Sequence, residues 1–254
     1  MTNAFIHPSV ADRYAQARPY FQPQVMELIR TRLGLSGLLP TALDVACGTG
    51  NSTDALRSVA TQITGTDISA AMLGQARIRL PELNFVEASA EQLPFEDFTF
   101  DLITVSMAFN AFNQENFLKE AARVLKPGGW LVLYQSEFKG QMLQNPEFQH
   151  WFDTVFASRF PQQAAHAEPL WVDPNHQTEF EVENLNSFMT EEHWTSDQLT
   201  AYLTTLGRVV VKVDRENQPL ELIQDWLRDQ VGPFFINTTE VLQFPGFIRF
   251  LHKL

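Results

Sequence analysis

The sequence predicts an α/β fold, a doubly wound and mostly parallel sheet, on three observations. Strand and helix patterns alternate from residue 41 to residue 135. The strands in that span are apolar runs without clean alternation, as when helices cover both faces of a sheet. Two of them end in what a ligand site at the carboxyl ends of parallel strands requires: a glycine pair, Gly48 and Gly50, and an acid, Asp67.

The elements follow in order. Residues 1–24 hold Pro8, Pro19 and Pro23 and predict a short helix over 10–17 with an extended crossing behind it. Residues 24–34 predict a helix, because Val25, Leu28, Ile29 and Leu33 share one face and Gly34 can end it. Thr41–Ala46 is the first buried strand and Ser52–Val59 the helix behind the glycines. Gln62–Thr66 is the second strand, Ala70–Ile78 the next helix, Asn84–Val86 the third strand and Asp101–Val105 the fourth. Phe117, Leu118, Ala121, Val124 and Leu125 fall at helical spacing within Gln114–Leu125. Lys126-Pro127-Gly128-Gly129 reads as a stop and turn, and Trp130–Gln135 as the fifth strand.

Residues 140–190 differ, being rich in Phe, Trp, Gln and His. Phe148, Trp151, Phe152, Val155 and Phe156 follow the i, i+3, i+4, i+7, i+8 spacing of a helical stripe, which Pro161 and Pro169 interrupt. Thr178–Phe188 reads as a strand returning to the sheet. Thr195 and Gln198 can form a capping box for a helix from Thr195 to Leu206, with Leu199, Tyr202, Leu203 and Leu206 on its apolar face and Gly207 closing it. Residues 219–231 predict a further helix and 239–251 an extended segment. The expected organisation is one domain: 1–34 as flap helices, 35–138 as the core, 139–190 as an aromatic-rich cap inserted over the sheet mouth, and 191–254 completing the sheet.

The chain has 254 residues, 44% of them hydrophobic, enough for a sizeable core. Its formal net charge is −12, so it repels phosphate backbones and nucleic acid is a poor partner. A single cysteine, Cys47, excludes an intramolecular disulfide and fits a reducing compartment. The start Met1-Thr2-Asn3-Ala4-Phe5 lacks the basic residues and apolar run of a signal peptide, and no stretch is apolar enough to span a membrane. The expected setting is cytoplasmic. The six histidines show no H-x-x-x-H spacing, and no metal site is expected.

Gly48 and Gly50 permit a tight turn and let a ligand pass close to the backbone, although a glycine pair alone also fits an ordinary strand-to-helix turn. Asp44, near the end of the first strand, can accept hydrogen bonds from the loop or from a ligand ammonium. Asp67 can take both hydroxyls of a ribose, or it can cap the next helix, a task for which Ser69 is better placed. A dinucleotide fingerprint would put a third glycine where Thr53 stands, which favours a mononucleoside ligand over NAD(P). No G-K-[ST] follows, which excludes a phosphate-binding loop of that kind. Cys47 reads as a small buried loop residue.

Leu43-Asp44-Val45-Ala46-Cys47-Gly48-Thr49-Gly50 resembles the first motif of class I S-adenosylmethionine-dependent methyltransferases, and Gly65-Thr66-Asp67-Ile68-Ser69-Ala70-Ala71-Met72-Leu73 the second. Ala88-Ser89-Ala90-Glu91-Gln92-Leu93-Pro94-Phe95 resembles their adenine-side loop. Phe100-Asp101-Leu102-Ile103-Thr104-Val105 resembles their fourth strand, and Val124-Leu125-Lys126-Pro127-Gly128-Gly129-Trp130-Leu131 the approach to the fifth. Within that family the chain is similar to small-molecule methyltransferases of the ubiquinone/menaquinone and trans-aconitate type. Together these motifs are specific for the family and carry no substrate.

The resemblance implies a Rossmann-like, seven-stranded sheet, S-adenosylmethionine as methyl donor and S-adenosylhomocysteine as product. It puts Asp44, Ala46, Gly48 and Gly50 beside the methionine part of the cofactor, Asp67 on the ribose, and Ile68 and Met72 against the adenine. Ser89, Ala90 and Glu91 would read the adenine edge, and Ser106 and Met107 would line the cofactor at the end of the fourth strand. Tyr14 and Arg18, in a segment that resembles a closing flap, would cover it, with Arg18 on the methionine carboxylate. Many relatives carry Asp in place of Ser89 and a His-Trp pair in place of Asn110-Ala111, so no catalytic base is assigned; Asn110, Tyr134 and Glu137 are the polar candidates near the mouth. The leading expectation is a methyltransferase for a small-molecule acceptor. The alternatives are a non-catalytic or regulatory protein that binds the same cofactor, and an NAD(P)-dependent enzyme.

Overall fold

A computed structural model describes residues 8–161, 172 and 179–254. In chain order its elements are α1 (Pro8–Ala17), α2 (Gln22–Leu33), β1 (Leu39–Val45), α3 (Asn51–Ala55), β2 (Ala60–Asp67), α4 (Ala70–Arg79), β3 (Asn84–Glu87), β4 (Phe100–Ser106), α5 (Gln114–Val124), β5 (Leu125–Ser136), β6 (Gln141–Met142), α6 (Pro146–Trp151), α7 (Ala157–Arg159), β7 (Phe180–Val182), β8 (Asn186–Trp194), α8 (Ser196–Leu203), α9 (Gly207–Val210), α10 (Leu220–Val231) and β9 (Glu240–Lys253). They gather into two compact units. The larger takes the described residues of Tyr20–Ser136, His166–Phe188 and Gly246–Leu254, and the smaller those of Met1–Pro19, Glu137–Ala165 and Met189–Pro245. No helix among the described residues is long and apolar enough to cross a membrane.

In the larger unit β1 pairs in parallel with β2 on one edge and β4 on the other, β2 with β3, and β4 with β5. β9 runs antiparallel to β5, with Leu251 opposite Leu131. Leu251 also pairs with Val182, so β7 lies on the far edge of β9. The order is therefore β3-β2-β1-β4-β5-β9-β7; β6 and β8 also pair with β9, so the sheet has nine strands, two more than the seven that the resemblance implies. The chain moves outward from β1 through β2 to β3 and then returns to β4. The order reverses between β1 and β4, and ligands of such sheets bind outside the carboxyl ends there.

The continuous apolar runs have a direct explanation. Leu43, Val45, Ile103, Val105, Leu131 and Leu133 pack on one face with Phe117, Leu118 and Ala121 of α5. Their neighbours Ala42, Leu102, Val132 and Tyr134 pack on the other face with Val25, Met26 and Ile29 of α2. Successive side chains alternate between two covered faces, so both sets are apolar. Gly34 ends α2 as expected, at φ 62°, with the Leu35 N–H reaching back to Arg30 O at 3.0 Å. The helix after the glycines is shorter than expected: α3 gives way to a 3₁₀ turn over Leu56–Ser58. Residues 126–129 do not form a turn between elements. Phe100 faces Leu125 and Leu102 faces Trp130, so the segment bulges within β5, with Gly128 at φ 75°.

The smaller unit is built on aromatic packing among Phe138, Phe148, Phe152, Phe156, Tyr202 and Phe244. The stripe expected over 148–156 is helical, but Phe152–Phe156 is a π-turn. Its i→i+5 bonding winds less per residue than an α-helix. Phe148, Phe152, Phe156 and Phe160, each four residues apart, are all buried, while Val155 is exposed. α8 carries the expected capping box: Thr195 Oγ1 accepts the Gln198 N–H at 3.2 Å and Gln198 Oε1 accepts the Thr195 N–H at 2.9 Å. It stops at Leu203, however, and Gly207 opens α9 instead of closing α8. Residues 220–231 and 240–253 form the helix and the strand expected near them. Of the strand expected over Thr178–Phe188, Thr178 lies outside the described residues, as does Pro169; Phe180–Val182 forms β7, and β8 begins at Asn186.

Candidate functional site

Backbone strain gathers where the sheet order reverses. Directly after β1, Ala46, Gly48 and Gly50 have φ of 56°, 56° and 91°; directly after β4, Met107 has φ 61°. Ala46 and Met107 are not glycines, and side chains rarely adopt that region outside sites that over-determine it. At Gly50 the left-handed turn calls for glycine, and a Cβ would also lie 2.9 Å from Leu80 Cδ1, so the end of that side chain would have to shift. At Gly48 a Cβ would meet nothing within 4 Å, so the loop backbone there faces open space.

Asp67, the last residue of β2, ties this loop down. Its Oδ2 accepts the Gly48 N–H at 2.8 Å and its Oδ1 accepts the Ser69 N–H at 2.8 Å. Burial raises its pKa, opposed by N–H bonds from Ser69, Gly48 and Ile68. The carboxylate keeps acceptor capacity for a further donor. Capping of α4 falls to Ser69, whose hydroxyl accepts the Met72 N–H at 3.3 Å.

Asp44 is fully buried in β1. Its Oδ2 accepts the hydroxyls of Ser52 at 2.6 Å and Thr53 at 2.7 Å, and its Oδ1 that of Thr104 at 3.1 Å. Burial is the main cause that lifts its pKa to about 6; the three hydroxyls pull it down and the charge of Asp67 pushes it up. Ser52, Thr53 and Thr104 were missed in the sequence. The one signal for them was a pair of hydroxyl residues in the first turn after Gly50. Cys47 is buried, and burial, then Asp44 and Asp67, push its thiol well up, away from any nucleophilic role.

A third carboxylate, Glu91, sits on the loop after β3. The Ser89 hydroxyl donates to its Oε2, and the Asn113 N–H to its Oε1 at 2.9 Å. Burial alone would raise its pKa; these two bonds hold it below the usual value. The hydroxyl of Ser89 is thus directed at Glu91, while Ala90 is buried beside them.

Two large apolar side chains stand open at the strand ends: Ile68 is 57% exposed and Met107 38%. Met72 is covered, and Ser106 is half-buried. Around the same strand ends lie buried polar atoms without a partner among the described residues: Gln22 Oε1 in the first turn of α2, Asn51 Oδ1 in α3, Thr66 Oγ1 in β2 and the Tyr134 hydroxyl in β5. Buried polar atoms are rarely left unpaired, so these are places for a ligand or water to bond.

Tyr14 and Arg18 belong to the smaller unit. Arg18 Nη2 donates to Thr205 O at 2.9 Å, and its guanidinium lies 4.3 Å from the Tyr14 ring centroid and 5.3 Å from that of Tyr202. Asn110 is exposed on a 3₁₀ turn after β4, Tyr134 is fully buried, and Glu137 is paired with Lys139 in the smaller unit.

Residues 43–133 match the family described as "Methyltransferase domain". The ubiquinone/menaquinone biosynthesis C-methyltransferase UbiE of Brucella anthropi is 42% identical over 128 residues, 45% of this chain and 48% of its own length. The chain thus spans about half the length of that relative. A demethylmenaquinone methyltransferase of Paenarthrobacter aurescens is 29% identical over 185 residues, 70% of each chain. Among solved structures, a protein of Anaeromyxobacter dehalogenans assigned as a type II methyltransferase superposes with a TM-score of 0.65 at 22% identity, over 88% of this chain and 94% of the other. That likeness carries the fold. Residues 43–133 are thus similar to a methyltransferase domain, and the fold is that of solved methyltransferase structures.

Proposed function

We propose that the chain transfers a methyl group from S-adenosylmethionine to a small-molecule acceptor, leaving S-adenosylhomocysteine. The observation that carries this reading is the carboxylate of Asp67 at the end of β2 fastened to Gly48 of the strained loop after β1. When bound, the cofactor supplies a methyl group made electrophilic by its sulfonium. The residues present fit such a ligand. The Asp67 carboxylate can accept from the ribose hydroxyls, and exposed Ile68 offers an apolar face for adenine, backed by buried Met72. Ser89, Ala90 and Glu91 take the adenine edge, and Ser106 and Met107 line the end of β4. Asp44 and the loop over Ala46, Gly48 and Gly50 face the amino-acid part, where Asn51 Oδ1 and Gln22 Oε1 are acceptors awaiting donors.

The work of the protein is alignment and exclusion of water, since the methyl group arrives activated. Asn110 can hydrogen-bond an acceptor but cannot remove its proton, which favours acceptors that are nucleophilic without a histidine base. A net charge of −12 speaks against nucleic acid as acceptor, and the cytoplasm is the setting that fits a lone, buried cysteine. Methyl-labelled S-adenosylmethionine incubated with a panel of small molecules, quinones included, tests the reading. Label transfer to one member is expected. Binding of the cofactor with no transfer to any member would favour a non-catalytic binding protein, and binding of NAD(P) instead would overturn the cofactor assignment.

A further inference from the structure

Arg208, the second residue of α9, stands apart from the other arginines of the smaller unit. Its guanidinium carbon lies 4.8 Å from the Phe152 ring centroid and 4.5 Å from that of Phe156. Among the described residues it makes no hydrogen bond and no ion pair. In the same unit Arg13 is paired with Asp214, and Arg228 with Asp197 and Asp225. Arg159 also lies over rings, but it is exposed. Arg208 is half-buried, and burial lowers its pKa against the opposing charges of Glu137, Tyr202 and Asp153. Neither carboxylate is free to neutralise it: Glu137 is paired with Lys139, and Asp153 accepts Gln149 Nε2 at 2.9 Å.

A partly desolvated cation whose N–H groups have no hydrogen-bond partner among the described residues is unfavourable unless something bonds them. In a chain with 30 acidic and 18 basic residues, an arginine with no ion pair among the described residues is a specific arrangement. None of its nitrogens is among the buried unpaired atoms, so the edge of the guanidinium stays open while its flat face rests on Phe152 and Phe156. Stacking fixes the plane of the fork and leaves its N–H groups to a planar oxyanion.

We propose that Arg208 binds an organic oxyanion, a carboxylate or phosphate, through a two-pronged hydrogen bond. The test is ligand-observed NMR titration of benzoate, phenyl phosphate and the neutral benzamide against the full chain and its Arg208→Gln and Arg208→Lys variants, with S-adenosylhomocysteine titrated in parallel. The wild type is expected to bind one of the two anions at least about tenfold more tightly than benzamide, as a charge-assisted pair allows. Arg208→Gln should abolish that preference and Arg208→Lys, which keeps the charge but loses the planar fork, should weaken it, both with unchanged affinity for S-adenosylhomocysteine. A wild type that does not distinguish anion from amide, or a glutamine variant that keeps the preference, overturns the proposal. If the glutamine variant does not fold, the lysine variant decides, and an undiminished preference in it overturns the proposal equally. Failure of the wild type to bind S-adenosylhomocysteine would instead overturn the methyltransferase reading and leave the anion result standing.

Discussion

Asp67 Oδ2 accepts the Gly48 N–H at 2.8 Å, so the acid that ends β2 holds the loop that ends β1. Two motifs 19 residues apart thereby act as one device. The loop keeps its left-handed turns with its backbone open at Gly48, and the carboxylate keeps a fixed direction beside it.

Asp44 predicts an unusual dependence of stability on pH. Burial lifts its pKa from 3.8 to about 6, so the folded chain holds a proton there more tightly than the unfolded chain does. A raised folded-state pKa means that the stabilisation is complete at acid pH and is lost as pH rises from about 4 through about 6. A difference of about 2 between the folded and unfolded pKa corresponds to about 3 kcal/mol. In urea unfolding at pH 4, 5, 6 and 7, the advantage of the wild type over Asp44→Asn should shrink as pH rises. An advantage that stays constant would contradict this origin.

The two loop glycines should respond differently to alanine. Gly48→Ala meets open space and bears only the left-handed backbone penalty, about 1 kcal/mol. Gly50→Ala bears that penalty and also drives a methyl to 2.9 Å from Leu80 Cδ1, for a total of about 2–4 kcal/mol. Thermal unfolding of the pair should rank Gly50→Ala as the less stable, and the reverse ranking would refute the assignment of the close approach.

Thr195→Ala removes the hydroxyl that accepts the Gln198 N–H at the start of α8. The expected loss is about 1 kcal/mol of stability, with no change in affinity for S-adenosylhomocysteine. Chemical denaturation with a parallel binding titration separates the two. A binding loss without a stability loss would mean that Thr195 acts elsewhere.

Much of the core was legible because its signals are local. Leu43 and Val45 face one side of the sheet and Ala42 the other, so a short apolar run between turns identified β1 to within two residues at its start and one at its end. Gly34 and the Thr195–Gln198 box are written within four residues of their partners. What failed depended on hydrogen bonding that sequence spacing does not fix. A proline and two glycines at 127–129 read as a turn, yet β4 pairs on either side of them and they became a bulge. Gly207 read as a stop and became a start, because α8 had already ended at Leu203. At the site, Gly48, Gly50 and Asp67 were legible as a pattern, but the bond between Asp67 and Gly48 was not. Nor was the bond from Thr104 to Asp44, 60 residues away, which exists only once β1 and β4 are neighbours.

The central claim is that Asp67, fastened to Gly48, holds an adenosine-type methyl donor. Isothermal calorimetry with S-adenosylhomocysteine on the wild type and Asp67→Ala, with thermal unfolding of both, addresses it most directly. The account predicts saturable binding by the wild type and at least about a tenfold loss in a variant that remains folded, the scale of one or two ribose hydrogen bonds to a charged group. No binding by the wild type, or equal affinity in the folded variant, would contradict it.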